Sequence, residues 1–231
     1  MNALAPARVL IADDDPLVRQ AYRAFFAAQD AFVLAGEARN GQEALDSYAL
    51  LKPAIVLMDL QMPVMAGIEA TEKICARWSD ACVVALTTFG TRDYVVAALK
   101  AGASGYLLKD SGADNLVAGM HQALRGDMPL SASVRRQLVH SVTSDAVART
   151  PVDIGLTPRE TELLGWLTQG MTNYQIGRAM YVSEGSVKQY LSHIGDKLGV
   201  KSRTQILIRA IQLDIVDPRT TPADALPAAA R

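Results

Sequence analysis

Cysteine is nearly absent from this chain, and the two that occur, Cys75 and Cys82, stand in or beside apolar segments without metal-ligand spacing. That argues against a disulfide framework or a thiolate zinc site and favours a reducing compartment, the cytoplasm. No apolar run is long enough to cross a bilayer, and the first residues do not read as a secretory signal, so no membrane is expected as a partner. Net charge is also scarce: 24 acids against 23 bases leave a formal charge of -1. Without a global pull toward nucleic acid, any DNA binding must rest on a local patch. No glycine-rich phosphate loop follows the first apolar run, which counts against a dinucleotide or triphosphate domain. What is abundant is apolar side chain, half of the 231 residues. The length fits two domains, one ordinary and one small.

The first half is organised around Ile55 to Gly67, IVLMDLQMPVMAG. Ala54 to Met58 is short and almost purely apolar, as a strand buried on both faces of a parallel sheet must be. Asp59 is then the first charge at its carboxyl end, where open α/β sheets bind ligands, and Pro63 and Gly67 bracket the following loop. Further strands are expected at Arg8 to Ala12, Phe32 to Glu37, Cys82 to Thr87 and Ser104 to Leu108. Helices are expected at Leu17 to Ala28, Gly41 to Leu51, Ile68 to Trp78, Asp93 to Ala101 and Asn115 to Leu124. Five alternating strand and helix units make an α/β fold, a doubly wound (βα)5 parallel sheet over residues 1–125.

Strand ends carry the polar groups: Asp13 and Asp14 after the first, Asp59 after the third, Thr87 at the fourth and Lys109 after the fifth. With strand order 2-1-3-4-5 they converge on one edge. Repelling carboxylates there suit a small hard cation such as Mg²⁺, and Asp59 could act as a nucleophile toward a phosphoryl group neutralised by metal and Lys109. Thr87 would donate to the phosphoryl oxygens. Spacing alone supports separate helix caps equally well, and a lone lysine is usually solvated.

Residues 126–154 lose the alternation and read as a linker, with a short helix expected over Ser133 to Val142; its Arg135 and Arg136 fit a solvated face better than a nucleic-acid site. From 155 to 213 no strand pattern remains, and four helices fit: Pro158 to Thr168, Asn173 to Met180, Glu184 to Leu198 and Arg203 to Leu213. Only Tyr181 and Val182 separate the second from Ser183, the cap of the third, which is helix-turn-helix spacing. In the third helix Val187, Leu191, Ile194 and Leu198 form the core stripe. Lys188, Gln189 and Ser192 lie off it and could read bases, whereas Lys197, Lys201 and Arg203 suit phosphates. A protein-docking helical bundle is the other reading of these residues. Residues 214–231, with three prolines among alanines, look disordered.

Two stretches carry a family resemblance. IADDDP (Ile11 to Pro16), LMDLQMPVMAG (Leu57 to Gly67), ALTTF (Ala85 to Phe89) and GASGYLLKD (Gly102 to Asp110) resemble the receiver domain of two-component response regulators. The resemblance implies Asp59 as phosphoacceptor and a sensor histidine kinase as phosphodonor. It places Mg²⁺ on Asp13, Asp14, Asp59 and the backbone carbonyl of Gln61, and makes Thr87, Lys109 and Tyr106 the phosphoryl-binding and switch residues. Asp15 stands where histidine is common. Leu156 to Ala210 resembles the LuxR-type helix-turn-helix of the NarL/FixJ class, a small all-α domain. That implies promoter DNA as partner, the helix from Ser183 as recognition helix, an internal role for Glu160, and a last helix that forms much of a homodimer contact. Tyr174, Gln189 and Tyr190 depart from the usual residues there, and Gly177 and Gly195 are expected to cost about 1 kcal/mol each of helix preference if exposed. The expectation is a phosphorylation-controlled transcriptional regulator that turns over no metabolite. A haloacid dehalogenase-like enzyme is disfavoured because Gln61 stands where its second aspartate would be. A DNA-binding dimer with a degenerate, phosphorylation-independent receiver is the alternative.

Overall fold

In the computed structural model, which describes residues 5–88, 92–110, 112–130 and 154–216, five apolar runs pair in parallel. They are β1 (Ala7–Ala12), β2 (Phe32–Ala38), β3 (Ile55–Asp59), β4 (Val83–Thr87) and β5 (Gly105–Leu108), in the order β2-β1-β3-β4-β5. Every residue of β3 and β4 is buried, the reason both read as continuous apolar runs rather than alternating ones. The helices between them are α1 (Pro16–Ala27), α2 (Gly41–Leu51), α3 (Gly67–Arg77), α4 (Arg92–Lys100) and α5 (Ala113–Leu124). One apolar layer packs β1 and β3 against α2 and α3, and a second packs the opposite sheet face against α1 and α5. Boundaries differ from the sequence expectation by one or two residues. Pro16 opens α1 as its first residue, and α5 begins at Ala113 after Gly112, whose φ of 83° ends the preceding loop.

The second half is helical, with α6 (Pro158–Thr168), α7 (Asn173–Met180), α8 (Glu184–Leu198) and α9 (Arg203–Gln212). Thr157, Thr172 and Ser202 each close a capping box, and Ser183 accepts from the Ser186 N–H at 3.0 Å, so all four starts are set by side chains visible in the sequence. Gly177 and Gly195 behave differently from expectation. Both are buried, and a Cβ there would lie 2.8 Å from the Val182 carbonyl and 2.7 Å from the Val200 carbonyl. Glycine lets the helix-turn-helix turn and the turn after α8 close against their own helices.

Two expected boundaries move. Asp127, Pro129 and Leu130 are buried, and the Pro129 carbonyl accepts the Tyr106 N–H at 3.1 Å, so the first residues of the expected linker pack on β5. At the other end Ile215 and Val216 pack against the core and the Ile215 N–H reaches the Ala210 carbonyl, so chain order extends past Asp214. The expected linker helix at 133–142, with Arg135 and Arg136, and the tail beyond 216 lie outside the described residues.

The halves touch. α9 packs on α4, Gln205 Nε2 donates to the Lys100 carbonyl at 3.4 Å, and Asp127 accepts the Asn173 N–H at 2.9 Å.

Candidate functional site

Strand register builds the acidic centre. Ala12 stands opposite Met58, so the next residues, Asp13 and Asp59, leave neighbouring strands side by side. Thr87 stands opposite Leu108, which brings Lys109 alongside. Asp13 and Asp59 are buried, at 1% and 7% exposure, while Asp14 is exposed; one carboxylate oxygen of each lies within 4.8 Å of the others. The Lys109 ammonium lies 2.6 Å from Asp13 Oδ2 and 2.8 Å from Asp59 Oδ2. Burial works against its charge, but these two bonds outweigh it and raise the lysine above its ordinary value. Burial likewise pushes the Asp13 carboxyl up, against the pull of Lys109 and the Asp15 N–H.

The surrounding loops are pinned. Asp13 Oδ1 accepts the Asp15 N–H at 3.1 Å, and Asp15 Oδ1 caps α1 by accepting the Leu17 N–H at 2.8 Å. Asp15 therefore has a structural task, which answers what an acid does where the resemblance leads one to expect histidine. Gly67 begins α3 so close to β3 that a Cβ would sit 1.7 Å from the Asp59 carbonyl oxygen; no other residue fits beneath the site. The Gln61 N–H approaches Asp59 Oδ1 at 3.4 Å, and its side-chain amide donates to the Tyr94 hydroxyl at 2.8 Å, tying the loop to α4. Thr87 and Tyr106 are buried and hydrogen-bonded side chain to side chain, and burial raises the Tyr106 hydroxyl despite that bond. Sequence reasoning missed Arg19, Asp127 and the Gln61–Tyr94 bond, none of which has a spacing signature.

The donor set fits a hard divalent cation: carboxylate oxygens only, two of the three residues buried, and a lysine balancing charge. Cys75 and Cys82 offer no competing chemistry, since burial pushes their thiols up to about 12 and about 11.

On the helical domain Lys188, Gln189, Ser192 and Lys201 are exposed. Lys188 lies 3.4 Å from Glu184, an exposed pair that costs little to break. Lys197 and Arg203 are occupied within the fold. Lys197 donates to Glu160 Oε2 and to the Gly155 carbonyl, both at 2.8 Å, and Arg203 donates to Asn173 Oδ1 and the Met171 carbonyl. In the DNA-free protein both expected phosphate contacts are thus engaged internally, by bonds that the sequence distance to Glu160 and Asn173, 37 and 30 residues, hides. Glu160 is 4% exposed; burial opposes its ionisation, yet Lys197 and the Thr157 groups hold its carboxyl below the usual value. Leu124, Arg125 and Gly126 at the end of α5 face Lys188, Ser192, Lys201 and Arg203 across a groove of about 380 Å³. The candidate reading face therefore opens toward the first domain.

Comparison with known proteins follows the same division. Residues 9–121 match the response regulator receiver domain, and residues 155–210 match the bacterial regulatory proteins of the luxR family. The chain is 34% identical over 209 residues to the nitrate/nitrite response regulator protein NarL of Escherichia coli (strain K12), covering 90% of this chain and 96% of that protein. It is 35% identical over 210 residues to the transcriptional regulatory protein LiaR of Bacillus subtilis (strain 168), covering 91% and 99%. Among solved structures, the response regulator ChrA of a heme-sensing two-component system aligns with a TM-score of 0.51 and 32% identity, over 92% of this chain and 100% of that one. The RcsB response regulator of Salmonella typhimurium shares the fold, with a TM-score of 0.54 at 21% identity over 88% and 97%.

Proposed function

Because the chain belongs to the response regulators that join a receiver domain to a LuxR-type DNA-binding domain, we propose that Asp59 accepts a phosphoryl group from a sensor histidine kinase and so controls promoter binding. The observation that carries this is the single ammonium of Lys109 bonded to both Asp13 and Asp59 among three converging carboxylates. In the transfer, an Asp59 carboxylate oxygen forms the new bond to phosphorus while the bond to the kinase imidazole breaks, and the imidazole leaves with the electron pair. Lys109 moves from the carboxylates to a phosphoryl oxygen, and the Thr87 hydroxyl donates to another. Mg²⁺ held by Asp13, Asp14, Asp59 and the Gln61 carbonyl would neutralise charge on the transferred oxygens.

The consequence runs through packing. A Thr87 hydroxyl drawn to the phosphoryl group gives up its bond to Tyr106, whose backbone is strapped to Pro129 and whose ring packs in one cluster with α4, Leu130 and the helical domain. Loosening α4 from α9 would release the last helix, which the family resemblance assigns to the homodimer contact, and move the receiver away from the face that carries Lys188 and Ser192. Paired copies would then meet half-sites about one helical turn apart. The intact acidic trio gives no support to a degenerate receiver.

Capture of genomic fragments with and without acetyl phosphate and Mg²⁺, with wild type and Asp59→Asn side by side, tests the proposal. Enrichment only with wild type and donor is expected. Equal enrichment in every arm would transfer the assignment to a phosphorylation-independent DNA-binding dimer.

A further inference from the structure

The three acids that end β1 crowd like charges into one turn, and Lys109 alone does not explain how that turn keeps its shape. The ammonium contacts Asp13 and Asp59 by side chain only, and it must leave them when a phosphoryl group arrives. A second cation sits behind the turn. Arg19, in the second turn of α1 with its side chain 13% exposed, reaches back so that Nη1 donates to the Asp13 carbonyl at 2.7 Å and to the Asp14 carbonyl at 3.0 Å. Its Nε lies 3.6 Å from Glu37 at the end of β2, and Glu37 is held in turn by Arg23 through bonds of 2.8 and 2.9 Å.

We propose that Arg19 is a positioning residue for the cation- and phosphoryl-binding carboxylates, with Glu37 fixing its guanidinium. The inference rests on the metal reading given under Proposed function. Two carbonyls of consecutive residues bonded to one nitrogen orient both peptide planes toward the guanidinium, on the backbone side of the turn. The Asp13 and Asp14 side chains are then presented to Asp59. The planar guanidinium also keeps a second edge for Glu37, which a lysine ammonium has no geometry to match. Groups that orient metal-binding side chains typically change metal affinity by about 10–100-fold when removed. A bystander cation would have the opposite effect, because deleting a positive charge near the site draws Mg²⁺ in more tightly.

The opposed signs make the test. Mg²⁺ is titrated calorimetrically into the full chain, with thermal unfolding recorded in Mg²⁺-free buffer for each variant. Arg19→Gln is expected to weaken Mg²⁺ binding by about tenfold. Arg19→Lys should fall between it and wild type, and Glu37→Gln should show a smaller loss in the same direction. If Arg19 only braced α1 against β2, unfolding temperature would drop while Mg²⁺ affinity, measured well below the transition, stayed at the wild-type value. That result, or tighter binding in Arg19→Gln, overturns the proposal. Should Arg19→Gln fail to fold, wild-type affinity in both Arg19→Lys and Glu37→Gln overturns it equally. A wild-type protein that takes up no Mg²⁺ overturns the metal reading itself; a wild type that binds, matched by its variants, overturns only the role of Arg19.

Discussion

Asp127 is the most informative residue to remove, because a single buried carboxylate there ties the receiver to the DNA-binding domain. It is 8% exposed and accepts the Asn173 N–H at 2.9 Å, at the first residue of α7. A hydrogen bond to a charged group is worth about 1.5–3 kcal/mol, and a negative charge at a helix N-terminus adds about 0.3–1 kcal/mol. The Arg125 partner, 3.6 Å away with a side chain 55% exposed, contributes little. Asp127→Ala should therefore cost the closed arrangement about 2 kcal/mol, a factor of about 30 in its equilibrium with separated domains. Lys188 and Ser192 face Leu124, Arg125 and Gly126 of the receiver across a groove, so parting of the domains is expected to open this face to a duplex. Unphosphorylated Asp127→Ala is expected to bind its promoter duplex up to about 30-fold more tightly than unphosphorylated wild type. The gain on adding acetyl phosphate should shrink by the same factor. Fluorescence anisotropy with a labelled duplex measures both, and circular dichroism checks that α7, still capped by Thr172, stays folded. Asp127→Asn, which keeps an acceptor and loses the charge, should fall between the two. Unchanged affinity in a folded Asp127→Ala would refute the idea that this contact restrains DNA binding.

Three further outcomes follow from particular contacts. Lys109→Ala leaves Asp13 and Asp59 buried without their shared cation, so the Mg²⁺-free protein should lose about 3–5 kcal/mol of stability. Mg²⁺ should then raise its unfolding temperature by more than it raises that of wild type, and a smaller rise in differential scanning fluorimetry would contradict the geometry. Gly177→Ala sets a helix-propensity gain of about 1 kcal/mol against a Cβ 2.8 Å from a backbone carbonyl that has no room to yield. Overpacking of this kind costs about 1–3 kcal/mol, so urea unfolding should report net destabilisation, and a more stable variant would show that the turn can relax. Glu160 has a folded value below its ordinary 4.5, so its contribution is fully present above about pH 4.5 and is lost as pH falls through the lowered value. The stability difference between wild type and Glu160→Gln should accordingly be largest near neutrality and shrink in acid; a difference independent of pH would mean that the Lys197 pair contributes nothing through charge.

Most of the fold was legible because local and tertiary demands coincide. β3 and β4 are buried at every position, and burial on both faces leaves the unbroken apolar run that identifies such a strand. The helix starts after Thr157, Thr172 and Ser183 were legible for a similar reason, since each cap bonds within three residues of itself; the matching box at Ser202 was found only in the structure. Asp13, Asp14 and Asp59 could be assigned to one edge because parallel register, once the strand order is assumed, places strand ends together. What stayed hidden depends on contacts across long stretches of chain. Asp127 reads as a linker acid until Asn173 is brought to it. The bond from Lys197 to Glu160 was equally hidden, and the two glycines read as weak helix residues until the returning carbonyls are seen.

The hidden contacts link both edges of the sheet to the DNA-binding domain. Gln61 bonds Tyr94 on α4; α4 packs on α9; Tyr106 is bonded to Thr87 on one side and strapped to Pro129 on the other; and Asp127, two residues before Pro129, meets α7. The Gln61 and Thr87 bonds begin beside Asp59, whereas Lys100 and Asp127, at the ends of α4 and α5, meet the DNA-binding domain at the opposite edge of the sheet. On the proposed function, a charge added at Asp59 would act first on its ion pair with Lys109 and on the neighbouring Thr87–Tyr106 bond, both short-range. It reaches the recognition helix only if packed elements have two arrangements to choose between. Between the halves, Gln205 bonds Lys100, and Asn173 bonds both Asp127 and the Arg125 carbonyl, beside the packing of α9 on α4 and one buried apolar cluster that runs from α4 and Leu130 into the helical domain. The polar groups find water when the domains part, whereas apolar side chains of the shared cluster lose cover, so parting has a hydrophobic cost as well. On the proposed function, charge at Asp59 therefore has to act on this shared cluster through Thr87 and Tyr106, and Asp127→Ala removes only the polar part of the cost of parting.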